Sequence, residues 1–97
     1  MTLESNFQAS LIKEMYDMFP GAIILKNDSG YIQGIPDLTI LYKDKWATLE
    51  VKNREDASKQ PNQEYYVGKM RDMSYSSFIY PENKEEVLYE LQQSFGA

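Results

Sequence analysis

Leu3, Phe7, Leu11, Met15 and Met18 recur at spacings of four and three, which sets them on one helical face. The spacing predicts a helix over residues 3–18, with Thr2 as N-cap and Pro20-Gly21 as the stop. Ala22-Ile-Ile-Leu25 is short, apolar and β-branched, as strands are. Residues 27–36 carry turn chemistry in Asp28-Ser-Gly30 and Gly34-Ile-Pro36. Residues 37–43 and 46–52 then read as two strands of a hairpin about Asp44-Lys45. After a polar loop over 53–59, Pro61 suits the first turn of a second helix, capped by Ser58 or Gln60, with Gln63, Tyr66, Val67 and Met70 on one face. Residues 77–80 form a fourth candidate strand, stopped by Pro81. Asn83 followed by Glu86 resembles a capping box opening a last helix, with Val87, Leu88, Leu91 and Phe95 inward. The order helix, three strands, helix, strand, helix predicts an α/β fold: a mixed sheet flanked by helices, in one domain over residues 1–97.

Composition narrows the chemistry. The 97 residues contain no cysteine and no histidine, which removes disulfides, thiolate or imidazole metal sites, and the nucleophile arrangements that depend on imidazole. Reactions must run on carboxylates, amines, hydroxyls and oxygen-ligated metal. The N-terminal stretch is charged throughout and lacks a signal-peptide core, and nothing approaches a membrane span; a cytoplasmic protein with no membrane partner is expected. The net charge of −5 opposes simple nucleic-acid binding unless acidic residues gather round a metal.

Period-two alternation in residues 46–52 sends Ala47, Leu49 and Val51 to one side and Trp46, Thr48, Glu50 and Lys52 to the other. Glu50 and Lys52 are then neighbours about 7 Å apart along the strand. A turn at Asp44-Lys45 sets residue 37 opposite roughly residue 52, so two carboxylates and an amine converge. Glu-x-Lys alone is a common exposed pair; Asp37 at hairpin distance, introduced by Gly34-Ile-Pro36, is what distinguishes it. Oxygen ligands from Asp37, Glu50 and the intervening backbone at Val51 suit Mg²⁺ or Mn²⁺. Lys52 could orient a water or stabilise charge growing on phosphorus.

Gly34-Ile-Pro-Asp37 followed by Glu50-Val-Lys52 resembles the PD-(D/E)xK nuclease superfamily, and within it the VRR-NUC group. The resemblance spans nearly the whole chain and implies a restriction-endonuclease-like αβββαβ core with an additional C-terminal helix. It implies a Mg²⁺-dependent endonuclease hydrolysing DNA phosphodiesters, selective for branched DNA such as Holliday junctions and acting as a homodimer. It further implies Asp37, Glu50, Lys52 and Gln63 as catalytic residues, and Glu4 as a metal ligand with Asp37, Glu50 and Val51. Glu14 is the rival to Glu4 and Gln60 the rival to Gln63. The Val-Arg-Arg triplet that names the group is absent, since the fourth strand reads Phe78-Ile-Tyr80. Contacts to the nucleic-acid backbone then fall to Arg54, Lys59, Lys69 and Arg71, each of which has an ordinary alternative as a solvated surface charge. The other functional classes are a non-catalytic nucleic-acid or protein-binding module on the same fold, and an interaction protein using some of the eight tyrosines.

Overall fold

The computed structural model describes residues 2–97. Thr2 caps α1 (Leu3–Met18), its hydroxyl accepting from Ser5 N at 3.0 Å. Leu11 and Met15 on the expected stripe are buried, and Phe7 and Met18 pack beside them. Leu3 departs from the pattern: at 75 % exposed it belongs to a first turn that lies outside the core. Phe19 ends the helix, its N–H donating to Met15 O, and joins the core itself. Gly21, at φ +89°, then turns the chain.

The strands β1 (Ile23–Lys26), β2 (Leu38–Tyr42), β3 (Lys45–Val51) and β4 (Tyr75–Ile79) lie in the order β1-β2-β3-β4. The first three are antiparallel neighbours, while β4 runs parallel to β3. A parallel neighbour needs a crossover, which α2 (Pro61–Met73) supplies. A 3₁₀ turn over Pro81–Asn83 leads into α3 (Lys84–Phe95), which closes at Gly96 in the left-handed region. The result is a mixed four-stranded sheet with three helices.

Alternation sorts the sheet into two faces. Leu38, Ile40, Ala47, Leu49, Val51 and Ile79 form the main core with Leu11 and Met15 of α1 and Val87, Leu88, Leu91 and Phe95 of α3. An ion pair between Lys84 Nζ and Glu14 Oε2 at 3.0 Å ties α3 to α1. On the opposite face α2 covers β3 and β4, with Thr48 Oγ1 near Met70 Sδ and donating to Ser76 Oγ at 2.8 Å. Thr48 and Glu50 are therefore as buried as the core side of β3.

Three details correct the sequence-based expectation. The hairpin turns at Lys43-Asp44, with Lys43 at φ 56° and Tyr42 opposite Lys45; Leu38 then pairs Leu49, and one further step sets residue 37 opposite residue 50 instead of 52. β4 begins at Tyr75, two residues before the expected start. Asn83 precedes α3 but makes no side-chain cap. Its carboxamide is committed to β4, accepting from Tyr80 N at 2.8 Å and donating to Phe78 O at 3.1 Å. Together with Arg71 Nε, which donates to Ser76 O at 2.8 Å, it satisfies main-chain groups along the strand's open edge, where unpaired groups would invite another strand. Among the described residues no helix is long and apolar enough to cross a membrane.

Candidate active site

The site forms where the start of β2 meets the end of β3 under the first turn of α2. Asn27 holds the approach to β2: its N–H donates to Asp37 O at 2.8 Å, and its side-chain amide donates to Pro36 O and Thr39 Oγ1. Pro36 is fully buried, so Asp37 leaves a fixed point. Asp37 Oδ2 accepts from Val51 N at 2.9 Å. Gly34 sits at φ +89°, and a Cβ there would fall 2.3 Å from Asn62 Cβ. Only glycine lets this loop lie directly on the N-terminal turn of α2.

Glu50 and Lys52 project from β3 and its end into the space between sheet and α2, with only 3 % and 9 % of their surface exposed. Lys52 N donates to Ile79 O at 2.9 Å, continuing the pairing with β4 beyond the end of β3. Gln63 is the hub of the site. Its Nε2 donates to Glu50 Oε2 at 3.0 Å, and its Oε1 accepts from Lys52 Nζ at 2.9 Å and from Gln60 N at 3.0 Å. Gln63 rather than Gln60 therefore enters the site, while Gln60 precedes the helix as its N-cap.

The carboxylates are strained electrostatically. Burial pushes Glu50 up from 4.5 to about 8, helped by the charge of Asp37 and opposed by Lys52. Burial also raises Asp37, against the hydrogen bond from Val51 N and the charge of Lys52. One proton shared across two close carboxyls is the usual result of such crowding. Glu50 Oε1 is buried with no hydrogen-bond partner, a costly condition for an acceptor unless something else meets it.

Glu4 stands farther off. Its pKa is raised by burial first and then by Asp37, with Lys52 opposing, so it senses the site electrostatically. Glu14 is turned toward Lys84. Among the described residues no group of three or more acidic side chains forms a metal cage. The donor set is two carboxylates plus main chain, with one carboxylate oxygen unpartnered. That fits an ion such as Mg²⁺, which binds through one or two carboxylates and keeps several waters.

The four expected phosphate-binding residues scatter. Arg54 is exposed and paired with Asp56 at 2.8 Å. Lys69 is exposed on α2. Arg71 is committed to Ser76 O and to Glu90 at 3.8 Å. Lys59 lies over the rings of Phe78 and Tyr80. Sequence reasoning missed the structural roles of Asn27 and Asn62, and it missed Phe78, which lies opposite Glu50 across the parallel pair. A parallel register leaves no local sequence signal. Gly34 could have been read more fully, since a glycine two residues before a buried proline suggests close backbone approach.

Compared with protein-family models, with curated proteins and with solved structures, the chain matches none.

Proposed function

We propose that this chain is a Mg²⁺-dependent nuclease of the PD-(D/E)xK type, resembling the VRR-NUC group, that hydrolyses phosphodiester bonds in DNA. The observation that carries the reading is buried Glu50 beside half-buried Asp37, with Glu50 Oε1 unpartnered and Lys52 and Gln63 in contact with its other oxygen. Buried carboxylates that repel one another are unfavourable in a purely structural role, and a divalent cation relieves the repulsion. Asp37 and Glu50 would hold the ion, with Val51 main chain adjacent and Glu4 adding negative potential. The bound ion would supply Lewis acidity and a water of lowered pKa.

The chain's own groups do the rest. Lys52 presents an ammonium to the phosphate as negative charge grows there. Gln63 keeps that ammonium directed while holding Glu50 in place. The helix order and mixed sheet suit an αβββαβ nuclease core. Selectivity for branched DNA by a homodimer belongs to the same proposal. Ile23 (56 % exposed), Leu25 and Leu41 line the part of the sheet that α2 leaves uncovered, an apolar strip suited to a second copy. The direct test incubates the protein with labelled linear, flapped and four-way DNA, with Mg²⁺ or with EDTA. Cleavage of branched DNA only with Mg²⁺ is expected; cleavage that persists in excess EDTA, or none on any substrate, overturns the reading.

A further inference from the structure

Beside the active site, α2, the open edge of β4 and the loop before α2 line an open surface cavity of about 420 Å³, within the range of small-ligand sites, about 300–1,000 Å³. Its walls include Lys59, Gly68, Arg71, Phe78 and Tyr80. We infer that this cavity is a subsite for one unpaired nucleotide of the strand being cut, its base against Phe78 and Tyr80 and its phosphate on Lys59. The inference rests on the nuclease reading for the identity of the strand.

Three observations converge on it. Lys59 makes no ion pair among the described residues, and its Nζ donates only a long 3.4 Å bond to Glu55 O, whereas Arg71, the cavity's other cation, is paired with Glu90. It lies 5.3 Å from the centre of the Phe78 ring and 5.6 Å from that of Tyr80, on a flexible stem that can swing aside as a base enters. An aromatic platform with an adjacent cation is the usual means of holding single-stranded nucleic acid.

The second observation is Gly68. It sits in the middle of α2, where glycine is less favourable than alanine because it loses more backbone freedom on folding. A Cβ there would meet nothing within 4 Å, so packing does not require glycine. The residue instead keeps the cavity wall low. Third, Phe78, which lines the cavity, is the β4 partner of Glu50, so this wall stands one strand over from the carboxylate site. Glu64 also lines it and Arg71 is held by Ser76 O and Glu90, which leaves Lys59, held only by its long bond to Glu55 O, as the cation to meet a phosphate.

The test titrates the protein with a four-nucleotide oligothymidylate in EDTA and follows amide chemical shifts, so that no cleavage is required. Shifts at residues 59, 68 and 78–80 are expected. Tyr80→Ala should weaken binding about tenfold, and Lys59→Gln should reduce the salt slope by about 0.7. Gly68→Leu should melt at or above the wild-type temperature yet bind at least tenfold more weakly, because it fills the cavity from a helix position that favours leucine. Absence of shifts at these residues, or wild-type affinity in folded Gly68→Leu and Lys59→Gln, overturns the inference. Binding here with no Mg²⁺-dependent cleavage of any DNA would remove the nuclease reading and leave the subsite standing. Cleavage by wild type, with Gly68→Leu binding as wild type does, would remove the subsite alone.

Discussion

Lys52 Nζ lies 2.9 Å from Gln63 Oε1 but 3.8 Å from Glu50 Oε2, so the lysine is held by the helix more closely than by its own strand. Gln63 thereby keeps the ammonium from collapsing onto the carboxylate. Gln63→Ala should leave a buried carboxylate oxygen short of a donor, costing about 1–3 kcal/mol of stability. It should lower the cleavage rate on the order of 10-fold or more while leaving Mg²⁺ binding measurable. Wild-type turnover in the folded variant would reassign the glutamine to helix capping through Gln60 N.

Lys52→Ala should fold and bind Mg²⁺, yet lose on the order of 10²-fold or more in rate, as expected when a charge-stabilising donor is removed. Single-turnover cleavage by the variant checks this. Unchanged cleavage would make Lys52 a structural partner of Gln63 and nothing more.

The raised pKa of Glu50 fixes the sign of a pH effect. Its proton is retained in the folded protein up to about pH 8, whereas the unfolded chain releases it near the ordinary value. Between about pH 4.5 and 8 the unfolded state therefore binds fewer protons, and metal-free stability should fall as pH rises through that window. Glu50→Gln should flatten this part of the profile. Denaturant melts in EDTA at several pH values measure it, and identical slopes in both proteins would contradict the burial of a strained carboxyl.

Gly34→Ala should detach the loop before β2 from α2. The positive φ alone costs about 1–3 kcal/mol, and the contact with Asn62 adds to it. A fall in Tm of at least about 4 °C is expected, with loss of activity from displacement of Asp37 relative to Gln63. A variant as stable and as active as wild type would show that this contact does not position the site.

Much of this architecture was legible because hydrophobic spacing and burial agree: the stripe of α1 from Phe7 onward, and Val87, Leu88, Leu91 and Phe95 of α3, are where their periods set them. The hairpin register was not. Moving the turn from 44–45 to 43–44 slides the strands by two residues, which leaves every side chain on its face, so alternation cannot distinguish the two. Only the left-handed backbone at Lys43 does. Asn83 misled because its carboxamide can serve a helix or a strand edge, and β4 claims it. At the site, Asp37, Glu50 and Lys52 were visible as residue types at suggestive spacing, and Gln63 through the family resemblance. The burial of Glu50 was not, because it depends on α2 crossing to the second face of the sheet.

The melting response to Mg²⁺ probes the carboxylate pair without any assumption about substrate. Mg²⁺ should raise the wild-type Tm by binding the folded state preferentially. Asp37→Asn keeps the side chain's shape but removes one of the charges that repel once Glu50 ionises above about pH 8, so without metal it should melt at or above the wild-type temperature there, and its Mg²⁺-dependent rise should shrink. Equal Mg²⁺ shifts in the two proteins, or no shift in the wild type at millimolar Mg²⁺, would contradict a cation site at Asp37 and Glu50.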